Sequence, residues 1–198
     1  MAVDVLLINP PFRLIPPFEY RLVDPPRNLA LLGALLREAG WSVQVLDMPV
    51  LGLDFEAVPK ALEAHRPRLV GISNRSTYGF PIAERVARKV KEFDPGLPVI
   101  AGGTYVSFSP EEALQRCESL DVIVIGEAEK ALPPLVRALT EGGDLSHIRG
   151  LAYRNTDGGI TRTGRFEPLE DLSLLPLPAL DLLPVEKYIQ RKERYILD

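Results

Sequence analysis

Short, mostly apolar runs alternate along this chain with longer stretches in which apolar residues return every three or four positions. The short runs cover residues 3–8, 41–46, 69–73, 98–101 and 121–125. Their length and turn-forming flanks predict strands, and their near-continuous apolar character predicts strands covered on both faces. Between them the period changes. Leu29, Leu32, Leu35 and Leu36 fall at helical spacing, with Asn28 as a candidate N-cap and Gly40 in the C′ position. A second helix is expected behind Asp54, carrying Val58 and Leu62. A third covers residues 78–93, with Pro81 in its first turn. A short helix starts at Pro110 behind Ser109, with Glu111 and Glu112 in its first turn, and a last one covers residues 129–140.

Five strand–helix units in about 140 residues predict an α/β fold of the flavodoxin-like, Rossmann-like kind. It has a five-stranded parallel sheet in the order 2-1-3-4-5 and a crevice beside strands one and three. After Gly142-Gly143 the pattern changes again. Residues 148–154 and 160–163, joined by Asn155-Thr156-Asp157-Gly158-Gly159, predict a β-hairpin. Residues 168–184 alternate leucines, prolines and acids and read as an extended linker, followed by a short helix over 185–194. The expected division is residues 1–145 as the flavodoxin-like domain and 146–198 as a hairpin annex with a proline-rich linker. The long segment 10–27, rich in proline and aromatics, reads as a lid over the first strand's end.

Composition narrows the function classes. With 46% hydrophobic and 25% charged residues in 198, the chain is of ordinary globular composition. A net charge of −4 and no dense Lys/Arg run argue against a nucleic-acid partner. No apolar stretch approaches 18 residues, so no membrane span is expected, and the N-terminus lacks the basic-then-apolar order of a signal peptide. A cytoplasmic setting is the expectation. The single cysteine, Cys117, and two histidines exclude a disulfide framework and a multi-cysteine metal site. Cys117 is expected inside a helix as a buried structural thiol.

Four loops that leave the carboxyl ends of strands carry small or polar residues. After the second strand come Asp47, Met48, Pro49 and Gly52, and after the third Ser73, Asn74, Arg75 and Ser76. Gly102, Gly103 and Thr104 follow the fourth, and Gly126 and Glu127 the fifth. Asp47 is placed to bond backbone groups ahead of it in an Asx turn, and Gly52 permits positive φ. Glycines at strand ends let a ligand approach the backbone, and helix N-termini beyond Thr77 and Glu127 suit a phosphate. Together the loops describe a site for a large, partly apolar, phosphate-bearing cofactor. Turns of α/β folds use such residues in any case, so the combination carries the reading. Asn9-Pro10-Pro11 stands where a dinucleotide fold would have Gly-x-Gly-x-x-Gly, and there is no P-loop.

These residues resemble a known family. Cobalamin-binding domains of the methionine synthase and mutase type carry Asp-x-His-x-x-Gly after the second strand, a serine after the third and Gly-Gly after the fourth. This chain has Asp47-x-Pro49-x-x-Gly52, Ser73 and Gly102-Gly103 in those places. With proline for histidine, it is similar to the N-terminal domain of cobalamin-dependent radical SAM enzymes. Asn9-Pro10-Pro11, Gly126-Glu127-Ala128-Glu129, Gly150-Leu151-Ala152-Tyr153 and Leu175-Pro176-Leu177-Pro178 support that likeness.

The resemblance implies cobalamin as cofactor, its nucleotide tail against Ser73 and Gly102-Gly103, and its corrin above Asp47, Met48 and Pro49. It implies binding with the cofactor's own base displaced and no histidine in its place. Asn74 or Arg75 is implied near that face, or else is a solvated loop residue. The parent enzyme of such a domain, a methyltransferase or cyclase, also uses S-adenosylmethionine and a [4Fe–4S] cluster held by three thiolates. One cysteine cannot supply them, so this chain alone is expected to hold cofactor rather than to catalyse, with a radical SAM domain as partner in the parent chain. Two other readings stay open: a docking module of the same fold that has lost cobalamin, and a flavin- or nucleotide-binding module.

Overall fold

The computed structural model describes residues 2–11 and 24–189. Among the described residues, seven strands form one sheet in the order β2-β1-β3-β4-β5-β6-β7. β1 (Val5–Asn9), β2 (Val43–Asp47), β3 (Leu69–Ser73), β4 (Val99–Gly102) and β5 (Val122–Val124) run parallel. The expected 2-1-3-4-5 order is therefore present. The expected C-terminal hairpin is also present, and it extends the same sheet. β6 (Leu151–Arg154) pairs antiparallel with β5, and β7 (Ile160–Arg162) pairs with β6, so the sheet continues through it.

Alternation along the strands divides the core in two. Leu6, Ile8, Val70, Ile72, Val99 and Ala101 face α3 (Ala57–His65), α4 (Phe80–Phe93) and α6 (Pro110–Arg116). Val5, Leu7, Val43, Val45, Leu69 and Ile100 face α1 (Arg27–Glu38) and α7 (Leu132–Glu141). Fully burying one such Leu, Ile or Val side chain contributes about 1.5–3 kcal/mol.

Several local expectations change. The residue before α1 is Pro26 rather than Asn28, which lies inside the helix; Gly40, at φ 91°, does close it. Asp54 accepts from the Glu56 N–H at 3.1 Å in a turn before α3, whose N-cap is Glu56. Ser109 precedes α6 without a side-chain cap bond. Two one-turn helices were not expected: α2 (Met48–Leu51) directly after β2 and α5 (Thr104–Phe108) directly after β4. α7 begins at Leu132, so Glu127 stands five residues ahead of it. Cys117 follows the end of α6 and is buried, and desolvation pushes its thiol above the ordinary pKa.

The expected linker is only partly extended. Leu172, Leu174 and Leu177 are exposed, but from residue 179 the chain returns to the body. The Ala179 N–H donates to the Ala30 carbonyl at 3.0 Å, Arg37 pairs with Asp181 at 2.6 Å, and Leu182 packs where Gly33 leaves space. Leu182, Leu183 and Tyr188 are buried beside α1. Residues 185–189 are helical. Most of the expected lid, residues 12–23, lies outside the described residues, as do residues 190–198.

Candidate functional site

All five parallel strands end at one edge, and the site is built there. Asn9 and Asp47 are paired across β1 and β2. The Asn9 Nδ2 donates to Asp47 Oδ1 at 2.8 Å, and the Tyr188 hydroxyl donates to Asp47 Oδ2. All three residues are buried, Asp47 with no exposed surface. The Asp47 side chain does not cap the helix that follows, contrary to the Asx turn expected of it. It joins three elements instead, which is how a buried carboxylate is accommodated. Met48 is equally buried and belongs to the core. Pro49 sits in the first turn of α2, and Gly52 closes the turn in the left-handed region at φ 65°.

Ser73 and Gly102 are paired at the ends of β3 and β4, and the Asn74 N–H donates to the Gly102 carbonyl at 2.7 Å. Gly103 has φ 121°, and a Cβ there would overlap the carbonyl oxygen of Asn74. Only glycine lets these two loops touch. The Asn74 carboxamide is 2% exposed, yet neither its Oδ1 nor its Nδ2 has a hydrogen-bond partner. Ser76 caps a 3-10 turn over Thr77–Gly79, accepting from the Gly79 N–H at 3.2 Å. Arg75 and Thr104 are exposed.

Ser107, which the sequence pattern does not single out, ties the next two loops. Its hydroxyl donates to the Gly103 carbonyl at 2.8 Å and accepts from the Gly126 N–H at 2.9 Å. Only the unexpected helix α5 brings it there. Phe166, beyond the hairpin, covers Gly126, where a Cβ would lie 2.5 Å from its ring. Glu127 is exposed and accepts from the Leu169 N–H at 3.4 Å.

Two hollows flank this edge and share Gly103 and Gly126. An open groove of about 800 Å³ runs between α5 and the hairpin, lined by Ser107, Phe108, Arg162, Arg165 and Phe166 among others. A narrower crevice of about 260 Å³ descends between the sheet and helices α1 and α7. Ser73, Gly102 and Glu129 line it together with Leu7, Gly71, Ile100 and Leu132. Among the described residues no three His, Cys, Asp or Glu side chains converge as a metal site, and no helix is long and apolar enough to cross a membrane.

The expected residues therefore divide. Ser73, Gly102, Gly103, Gly126 and Glu127 border the crevice, Thr104 lines the groove, and Asn74, Arg75 and Ser76 form the loop beside them. Asp47 and Met48 lie beneath the surface of the same edge.

Known proteins share this arrangement. The B12 binding domain matches residues 19–136. A Pyrococcus horikoshii protein described as an uncharacterized methyltransferase is 32% identical over 94% of this chain, which spans 40% of that relative's length. The radical S-adenosylmethionine methyltransferase TsrM of Kitasatospora setae, solved with cobalamin and a [4Fe–4S] cluster bound, superposes with a TM-score of 0.69 at 24% identity. That likeness covers 90% of this chain and 32% of TsrM. The cobalamin-dependent S-adenosylmethionine radical enzyme OxsB, solved with aqua-cobalamin and S-adenosylmethionine, superposes with a TM-score of 0.78 at 22% identity, over 96% of this chain and 26% of OxsB.

Proposed function

The chain belongs to the B12-binding domain family, and from that premise we propose that it is the cofactor-holding domain of a cobalamin-dependent radical SAM enzyme. In this reading it binds cobalamin with the lower base displaced and no histidine from the loop after β2. The crevice carries the proposal. It opens at the carboxyl ends of parallel strands, has Gly71, Gly102 and Gly103 along its wall, and lies beside Ser73. A volume of about 260 Å³ is below the roughly 300–1,000 Å³ of a whole drug-sized site, as suits one arm of a larger ligand.

Each element has a task in this reading. Ser73 and the Gly102-Gly103 backbone border the nucleotide arm. The unpaired Asn74 carboxamide and exposed Arg75 and Thr104 offer polar contacts at the edge to the amide-bearing corrin. Asp47, tied to Asn9 and Tyr188, fixes α2 so that Pro49 is presented without an imidazole. Bound cobalamin supplies a cobalt centre able to carry a methyl group. With proline at position 49, this loop would have no imidazole to offer a bound cobalt. In this reading the cluster-binding thiolates, and with them S-adenosylmethionine chemistry, would come from another part of the parent protein, since this chain has a single cysteine. The parent reaction, methyl transfer or cyclisation, is set there.

The test is direct. The purified chain is mixed with hydroxocobalamin, desalted and examined by visible spectroscopy. Retention of a base-off corrinoid is the expected result. A colourless protein would overturn the proposal in favour of a docking module, and a yellow protein as purified would point to flavin.

A further inference from the structure

The crevice has an apolar depth and a polar mouth, and the strand register gives its dimensions. Leu7, Gly71 and Ile100 each lie two residues before the ends of their strands, at Asn9, Ser73 and Gly102. Residues two apart face the same way, so Ser73 stands over Gly71 and Gly102 over Ile100. At about 3.3 Å per residue the crevice reaches roughly 7 Å below the edge. Gly71 makes room, since a Cβ there would lie 2.8 Å from the Leu7 side chain. Leu29, Leu32, Val124 and Leu132 complete an apolar wall. That depth accepts a flat apolar ring and asks no hydrogen bond of it.

The mouth differs. Glu129 lines it from the loop between β5 and α7, and its Oε2 is shielded from solvent with no hydrogen-bond partner. An unpaired carboxylate oxygen beside an apolar cavity is costly until a donor reaches it. A nucleotide arm that places its base in the depth holds its pentose at the mouth, where free hydroxyls are donors. We propose that Glu129 is a specificity-determining residue, accepting a hydrogen bond from a pentose hydroxyl and so selecting complete corrinoids over those lacking the nucleotide. This rests on the corrinoid reading above and assigns a contact within it.

The experiment compares cobalamin with dicyanocobinamide, which has the corrin but no nucleotide, by spectral titration of wild type, Glu129→Leu and Glu129→Gln. Glu129→Leu should weaken cobalamin about tenfold or more, the usual effect of losing a hydrogen bond to a charged group, and leave cobinamide unchanged. Glu129→Gln, which keeps the shape and one acceptor oxygen, should fall between. A cobalamin analogue without the pentose 2′-hydroxyl serves as a check from the ligand side. It should bind wild type as weakly as cobalamin binds Glu129→Leu, with no further loss in that variant. Wild-type-like cobalamin binding by Glu129→Leu, or equal loss of cobalamin and cobinamide in both variants, would overturn the assignment. If wild type binds cobinamide and cobalamin equally, the assignment fails and the corrinoid reading stands. If it binds neither, the corrinoid reading itself fails.

Discussion

Tyr188 donates its hydroxyl to the carboxylate of Asp47, 141 positions earlier in the chain. Asp47 ends β2 at the carboxyl edge of the sheet, and Tyr188 lies in the segment that crosses α1. The bond is buried, so replacing Tyr188 by phenylalanine removes a shielded hydrogen bond to a carboxylate. Tyr188→Phe should therefore lower stability by about 1–3 kcal/mol, read from the urea midpoint. An unchanged midpoint would show that the contact contributes nothing.

Gly103→Ala should be among the most damaging single-methyl additions in the chain. It combines a positive φ with a Cβ that meets the backbone of Asn74, and backbone cannot swing aside as a side-chain tip can. A loss of about 2–4 kcal/mol is expected, together with loss of cobalamin retention. Gly52→Ala is the comparison. It shares positive φ but has nothing within 4 Å of a new Cβ, so it should cost only about 1–2 kcal/mol.

Pro49→His should restore an imidazole to the position that Asp-x-His-x-x-Gly occupies in related domains. If Pro49 faces the lower side of cobalt, the spectrum of bound cobalamin will move from base-off toward imidazole ligation. An unshifted spectrum with cobalamin retained would place Pro49 away from the metal.

Stability should also fall in acid through Asp4. The Ser42 hydroxyl chiefly, then the Ser42 N–H and Arg68, hold its carboxyl below the ordinary 3.8, against the opposing effect of burial. A pKa lower in the folded than in the unfolded state gives stability that is complete above about pH 4 and disappears as pH drops through the folded value. The midpoint difference between wild type and Asp4→Asn should be constant from pH 7 to 5 and narrow toward pH 3. A difference that does not change with pH would refute this linkage.

The strands and their order were legible because each is a short apolar run and the runs alternate with helical periods. The glycines and Ser73 were legible as turn chemistry at strand ends. What was hidden has physical reasons. Helices α2 and α5 span four and five residues, less than the two turns over which a helical period shows itself, so Ser107 and its two bonds could not be placed. Asp47 was read from its neighbours, but its partners come from β1 and from Tyr188. The stretch around residues 179–188 looked extended because its prolines exclude a long helix. Its anchoring depends on leucines fitting a helix face that bears Gly33, which adjacent residues do not reveal.

That anchoring bears on how such a domain works with another. The chain crosses α1 and brings Tyr188 to the carboxyl edge, so residue 189 lies close to the edge that carries the crevice. Under the proposed function, a catalytic unit following this segment would start out near the cofactor and would search only a small volume to reach it. In mass-action terms its effective concentration would be high before any domain–domain contact forms. The Tyr188–Asp47 bond would then act as a mooring that shortens the tether. Loosening it should slow encounter between cofactor and catalytic unit even where cobalamin affinity is untouched.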